Sequence, residues 1–256
     1  MRKILIFILL LNISSILIAA KKLNNFQEVN LKSLNFTSDD LCDEKYLNSN
    51  KFPALESFSI EQQNLKTLDL SGSPSLKTLE ILYLDNLKSV YLHKKVKLES
   101  LSAYEVDFDI LAQIDTSQLK ILILKASYNQ LKNKNLLQSF NKLKFPELEF
   151  LFIMHAYDNE VNFNLMPKLE LLYLGGLQVN SLDFLRSSCP NLKNLRICNM
   201  EKLKDFFVLK ELPLETLTIE DISASRWLRR SQLPKKCKVV ELPPVSKNPY
   251  FIWVVL

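Results

Sequence analysis

The sequence predicts an α/β solenoid: a curved parallel sheet on a concave side, with short helices, irregular segments and some extended segments on the convex side. Two observations predict it. A phrase of the form L-x-x-L-x-L, opened each time by leucine and completed by other apolar residues, recurs eleven times from Leu31-x-x-Leu34-x-Phe36 to Leu214-x-x-Leu217-x-Ile219. The phrases open at Leu31, Leu55, Leu65, Leu76, Leu87, Leu98, Leu119, Leu148, Leu169, Leu192 and Leu214. Successive spacings are 24, 10, 11, 11, 11, 21, 29, 21, 23 and 22 residues, and the short steps add in pairs to 21 or 22.

In an extended segment alternate side chains share a face, so positions 4 and 6 of each phrase point one way and positions 3, 5 and 7 the other. Each phrase is therefore a short strand with one apolar edge that it cannot bury alone, and stacking such strands at a regular period makes a continuous core. Five phrases carry a further apolar residue at position 9: Leu84, Val106, Leu177, Met200 and Ile222. The fullest unit runs Leu169-Glu-Leu-Leu172-Tyr-Leu174-Gly-Gly-Leu177, continues through Val179, Leu182, Phe184 and Leu185, and leads by Cys189-Pro190-Asn191 into Leu192. From about Leu31 to Ile222 the chain resembles the leucine-rich-repeat superfamily, and this unit is similar to the irregular repeats in the substrate-receptor arms of plant F-box proteins. The resemblance implies a non-enzymatic protein that binds another protein on its concave face. No phrase has the Asn that many family members carry at position 9, and Met200 stands where the cysteine-type repeat has Cys.

Met1-Arg2-Lys3 supplies positive charge, Ile4–Leu11 is unbroken apolar chain, and Ile16–Ala20 ends in small residues before Lys21-Lys22. This layout predicts a signal peptide over residues 1–20, cleaved near Ala20, and hence secretion with no stable membrane span afterwards. A signal anchor or a buried N-terminal helix is the other reading. The repeat domain is expected over residues 21–222, unbroken, since three glycines and no long low-complexity run leave no linker.

Within it, Leu55 to Leu98 spans 43 residues, two ordinary repeats, so Leu76 falls in register with the main stack while Leu65 and Leu87 fall half a repeat away. About ten residues at roughly 3.3 Å each cannot travel around a full coil and return, so the Leu65 and Leu87 phrases are predicted as extended segments on the convex side. Asn129–Leu143 is the clearest helix, with Leu131, Leu136, Leu137, Phe140 and Leu143 on one side. Residues 223–256 are expected to form a C-terminal cap and tail, with Trp227 and Leu228 plugging the end of the core.

The same register gives the outward positions 3, 5 and 7. The first strands present Ser33, Asn35, Thr37, Ser57, Ser59, Glu61, Thr78, Glu80, Leu82, Ser100, Ser102 and Tyr104, a mostly polar surface. The middle strands present Ile121, Ile123, Phe150, Phe152, Met154, Leu171 and Tyr173, together with Lys125 and Gly175. Soluble chains seldom expose apolar patches beyond a few hundred Å², and aromatic and Met anchors are enriched at interface cores, so these seven residues are expected to bind a protein partner. The alternative is that Asn129–Leu143 or the tail Tyr250–Leu256 covers them. Asn194, Arg196, Cys198, Thr216, Thr218 and Glu220 complete the face.

Cys42, Cys189, Cys198 and Cys237 would make a disulfide framework in a secreted chain, but the repeat geometry opposes it. Cys189 and Cys198 flank one strand roughly 30 Å apart, and Cys42 and Cys237 lie at opposite ends of the stack, beyond the roughly 7 Å that a disulfide tolerates between α-carbons. Cys42, Cys189 and Cys237 are expected as packed thiols, and Cys198, at position 7, is expected outward. Four free thiols sit awkwardly with an oxidising compartment.

The net charge of +5 is weak evidence for a polyanionic partner. Basic residues gather at Lys125, Lys132, Lys134, Lys142 and Lys144 and again at Arg226, Arg229, Arg230, Lys235, Lys236 and Lys238. Such runs are more often solvated faces or caps than sites, and no nucleic acid is expected. Asn35-Phe36-Thr37 is an N-glycosylation acceptor sequence in a eukaryotic source. His93 and His155 are the sole histidines, Gly175-Gly176 lacks phosphate-loop spacing, and Asp107 and Asp109 read as a solvated edge. No catalytic, metal or cofactor site is therefore expected. The function expected is partner binding by a secreted or surface-displayed protein. An intracellular substrate-recognition adaptor, and a membrane or polyanion binder working through the C-terminal basic cluster, are the alternatives.

Overall fold

The computed structural model describes residues 31–37, 52–126, 137–140, 142–220 and 225–242. The expected signal peptide, Cys42, the first half of Asn129–Leu143, Ile222 and Tyr250–Leu256 lie outside them.

Among the described residues there are twelve strands: β1 (Ser33–Phe36), β2 (Ser57–Glu61), β3 (Thr67–Leu70), β4 (Thr78–Leu82), β5 (Ser89–Leu92), β6 (Ser100–Tyr104), β7 (Ile121–Lys125), β8 (Phe150–Met154), β9 (Leu171–Gly175), β10 (Asn194–Cys198), β11 (Thr216–Ile219) and β12 (Lys238–Glu241). Ten form one parallel sheet in the order β1-β2-β4-β6-β7-β8-β9-β10-β11-β12, and β3 pairs with β5 in a separate two-stranded sheet. The half-repeat phrases at Leu65 and Leu87 thus leave the main stack, as their spacing requires. Every one of the eleven phrases enters its strand at position 3. All pairings along the main sheet are parallel and in phrase register, so Phe152 faces Ile123 on one side and Tyr173 on the other. This is an α/β chain of sequentially paired parallel strands, the arrangement of a repeat solenoid.

The inner positions carry the core. Leu79, Ile81, Leu101, Ala103, Leu122, Leu124, Leu151, Ile153, Leu172 and Leu174 are fully buried, and each large one contributes about 1.5–3 kcal/mol by leaving water. The position-9 residues Leu84, Val106, Leu177 and Met200 are buried with them. Among the described residues two short α-helices lie in the connections: α1 (Leu137–Phe140) and α2 (Phe184–Ser188). Of the predicted Asn129–Leu143 helix, α1 is the described part, with Leu137 and Phe140 buried and Leu143 packed on the core.

Half of the strands end the same way. Position 8 adopts a left-handed backbone in six repeats, at Gln62, Tyr83, Glu105, His155, Gly176 and Asn199, with φ between 49° and 83°. In the first five the N–H donates to the last carbonyl of the next strand, as from Tyr83 to Tyr104 at 2.7 Å and from His155 to Gly175 at 2.9 Å. A left-handed residue turns the chain out of the sheet without abandoning that last rung, at a steric cost everywhere except glycine. In the second repeat Gln63, at position 9, donates from Nε2 to the carbonyls of Thr37 at 2.8 Å and Glu61 at 3.1 Å. It satisfies backbone groups at the bend where the sequence has no Asn.

The C-terminal segment adds one element and corrects one expectation. A tenth sheet strand, β12, lies in the segment expected to be a cap, in register with β11 from Thr216↔Lys238 to Ile219↔Glu241. Trp227 is 44% exposed and does not plug the core, whereas its neighbour Leu228 packs against it.

Candidate partner-binding face

The seven predicted apolar residues fall on β7, β8 and β9, three neighbouring strands, all on the outer face. Position 3 aligns Ile121, Phe150 and Leu171, and position 5 aligns Ile123, Phe152 and Tyr173. Ile121, Ile123, Phe150, Phe152, Met154 and Leu171 are half-buried. Tyr173 differs: only 2% of it is accessible, so it supports the face rather than presenting itself on it.

The burial of Tyr173 has a local cause. Its ring stacks on Phe152 with centroids 4.5 Å apart and planes 7° from parallel, and the guanidinium of Arg196 lies over it, 5.4 Å from the centroid. Gly175 beside it has no side chain, and a Cβ there would come within 3.3 Å of the Met154 side chain and 3.6 Å of the Tyr173 ring. The Tyr173 hydroxyl donates to Glu220 Oε2 at 3.3 Å, and Glu220 pairs through Oε1 with Arg196. Burial, with the nearby Cys198 thiol, raises the Tyr173 hydroxyl above its ordinary range, so it stays a proton donor. A stacked row Phe152–Tyr173–Arg196 thus closes on a buried carboxylate.

Glu220 was legible only as an outward residue in the sequence. It stands at position 7 one strand beyond Arg196 at position 5, a diagonal that the register places within reach. Cys198 is corrected: although at outward position 7 it is 3% exposed, and Cys189 and Cys237 are buried as well, none of the three in a disulfide. Burial pushes the Cys189 thiol up to about 12, which leaves it protonated and unreactive.

On the other flank Lys125 sits between two aromatic rings, its ammonium 5.9 Å from the centroids of both Tyr83 and Tyr104 and 3.9 Å from Glu105. Burial, the Glu80 carboxylate and Tyr83 push the Tyr104 hydroxyl up to about 12. Burial and then Lys125 lower the His155 imidazole below its usual value, so it is neutral at physiological pH. The apolar patch is therefore bordered by one partly screened cation on the β6–β7 side and a neutralised ion pair on the β10–β11 side. Asn35 lies at the far end, half-buried on β1 opposite Ser59.

Among the described residues no group of three His, Cys, Asp or Glu side chains is placed to hold a metal ion, and no helix is long and apolar enough to cross a membrane. The class of protein that fold and face define is a stacked parallel-strand repeat protein with an apolar outer patch. No known family model, curated protein or solved structure matches the chain.

Proposed function

We propose that this chain is a leucine-rich-repeat protein, secreted or surface-displayed, that binds a protein partner through the patch on the concave face of its sheet and performs no chemistry. One observation supports the reading most: six apolar side chains, Ile121, Ile123, Phe150, Phe152, Met154 and Leu171, adjoin across three strands and none is fully buried. Tyr173 backs them as a fixed platform. Rigid aromatic anchors of this kind dominate interface energetics when a partner desolvates them. In a eukaryotic source Asn35 is the proposed glycan acceptor.

The decisive experiment is recovery of partner from the native source with wild type against the Phe150→Ser, Phe152→Ser pair, with thermal unfolding followed in parallel. Loss of two anchors should lower recovery at least about tenfold. Unchanged recovery by a folded variant would refute the patch.

One observation favours a second reading. Cys189, Cys198 and Cys237 are buried and in no disulfide, as suits a reducing compartment, and an intracellular adaptor resembling the F-box substrate-receptor arm would use the same face. N-terminal sequencing of the native protein separates the two. A start near Lys21 establishes secretion, and Met1 retained in a cytosolic fraction establishes the adaptor.

A further inference from the structure

The connections on either side of β11 carry a second surface, independent of the patch. Phe207 is 65% exposed and Trp227 is 44% exposed. Neither is exposed because its segment is loosely held. Phe206, Val208 and Leu209, on both sides of Phe207, are fully buried, and the Phe207 N–H donates to Asp205 Oδ1 at 2.9 Å. Leu228, next to Trp227, packs on the core. Two firmly held turns thus direct aromatic rings into solvent.

Cations surround them. The Lys204 ammonium lies 5.5 Å from the Trp227 ring centroid, and Lys204 precedes Phe207 by three residues, a reach of roughly 10 Å at most. The 3₁₀ turn Phe207–Glu211, which carries Lys210, packs against the turn Arg230–Gln232, which Arg229 precedes. Lys204, Lys210 and Arg229 are exposed. The acids beside them are engaged: Arg186 donates to the two oxygens of Glu211, the last residue of the Phe207–Glu211 turn, at 2.7 Å each, and Asp205 accepts the Phe207 N–H.

We propose that this surface docks on an anionic lipid membrane. Trp227 and Phe207 enter the headgroup layer, and Lys204, Lys210 and Arg229 lie against the acidic headgroups. An indole with one polar edge suits the boundary between headgroup and acyl chain. Phenylalanine, which has no hydrogen-bonding group, gains only by leaving water. The cations can extend their apolar stems along the boundary while their charges stay in water, and each one near an acidic surface adds to the attraction. A polynucleotide would use the same charges and could stack bases on the rings, so the test includes one.

The test is co-sedimentation of the full chain with phosphatidylcholine vesicles, with and without phosphatidylserine, beside a fluorescent single-stranded oligonucleotide. Retention is expected only with phosphatidylserine and should weaken with salt. Two variants separate the components. Phe207→Ser with Trp227→Ser, and Lys204→Glu with Lys210→Glu, change exposed side chains and should each lower retention about tenfold or more. The proposal is overturned by no retention of wild type, by equal retention on neutral vesicles, by wild-type retention of both folded variants, or by oligonucleotide binding in place of vesicle binding. The Phe150 and Phe152 variant retains this surface and should bind vesicles as wild type does.

Discussion

At the scale of single residues, Asp158 carries the clearest unmet demand. Its Oδ1 accepts the Leu137 N–H of α1 at 3.3 Å and its backbone carbonyl accepts the Gln178 N–H at 2.8 Å. The carboxyl is buried, and Oδ2 has no hydrogen-bond partner among the described residues. Burial pushes it up from 3.8 to about 6, against the lowering effect of the Leu137 N–H. A carboxyl raised on folding prefers its neutral form in the native state. Its contribution to stability is therefore whole below about 3.8 and is lost as pH rises through about 6. Asp158→Asn keeps the acceptor for Leu137 and removes the charge. The variant should be more stable than wild type at pH 7 by about 1–3 kcal/mol, a gain that shrinks towards pH 4. Denaturant unfolding at both pH values measures it, and an equal gain at both would show that charge is not the cause.

At the scale of strands, the eleven phrases specified starts, faces and register, because a period-2 pattern with a buried edge admits no slip. What they missed has physical reasons. In the segment Lys236-Cys-Lys-Val239-Val-Glu241, β12 has a single apolar residue at the inner positions 4 and 6, so no leucine phrase announces it. The burial of Tyr173, Cys198 and Glu220 depends on diagonal contacts and on the space left by Gly175, which alternation does not encode.

A further pattern stood in plain view at position 2. Lys32, Glu56, Lys77, Glu99, Lys120, Glu149, Glu170, Lys193 and Glu215 follow one another along the edge where strands begin. Their carbonyls accept the first N–H groups of the next strand, as Glu56 does from Lys77 at 2.8 Å and Thr78 at 3.0 Å. Their side chains pair across strands: Lys32–Glu56 at 3.2 Å, Lys77–Glu56 at 2.8 Å, Lys120–Glu99 at 2.8 Å and Lys193–Glu170 at 2.6 Å. Where two acids adjoin, at Glu149 and Glu170, an ion pair forms two residues earlier between Lys168 and Glu147 at 2.5 Å. The Glu99 hydrogen bond raises the Lys120 ammonium above its ordinary value.

Exposed pairs contribute little singly, yet like charges aligned on neighbouring strands oppose pairing. Lys120→Glu would align a carboxylate between Glu99 and Glu149 and should cost about 1 kcal/mol. That cost should largely vanish near 1 M salt, where the screening length is about 3 Å. Denaturant midpoints at low and high salt read it, and a salt-independent loss would point to packing instead.

At the scale of the molecule, every strand of the main sheet rests on its immediate neighbours in sequence order, with β3 and β5 inserted between repeats. Stability in such an array is close to a sum of units and neighbour interfaces, and it falls towards the ends, where one interface is missing. Native-state amide exchange should therefore be slowest in β6 through β9 and faster in β1 and β12. Uniform protection along the sheet would contradict that picture and indicate a single cooperative block. The apolar patch on β7 to β9 would then lie on the most rigid part of the protein, so the proposed partner would find it already ordered.

The final strand has a consequence for self-assembly. Among the described residues, β1 and β12 have no strand on their far sides. A row of such free peptide groups can template another copy, and a stack whose two ends are both parallel strands could grow end to end. At position 6 every other strand of the sheet has an apolar residue, from Phe36 through Ile60, Ile81, Ala103, Leu124, Ile153, Leu174 and Ile197 to Ile219. In β12 that position holds Glu241, which is exposed. A second molecule added in register would press its own Phe36 against this carboxylate and seal an unpaired charge into the joint core, at a cost of several kcal/mol. Glu241 thereby opposes in-register growth of the stack from this end.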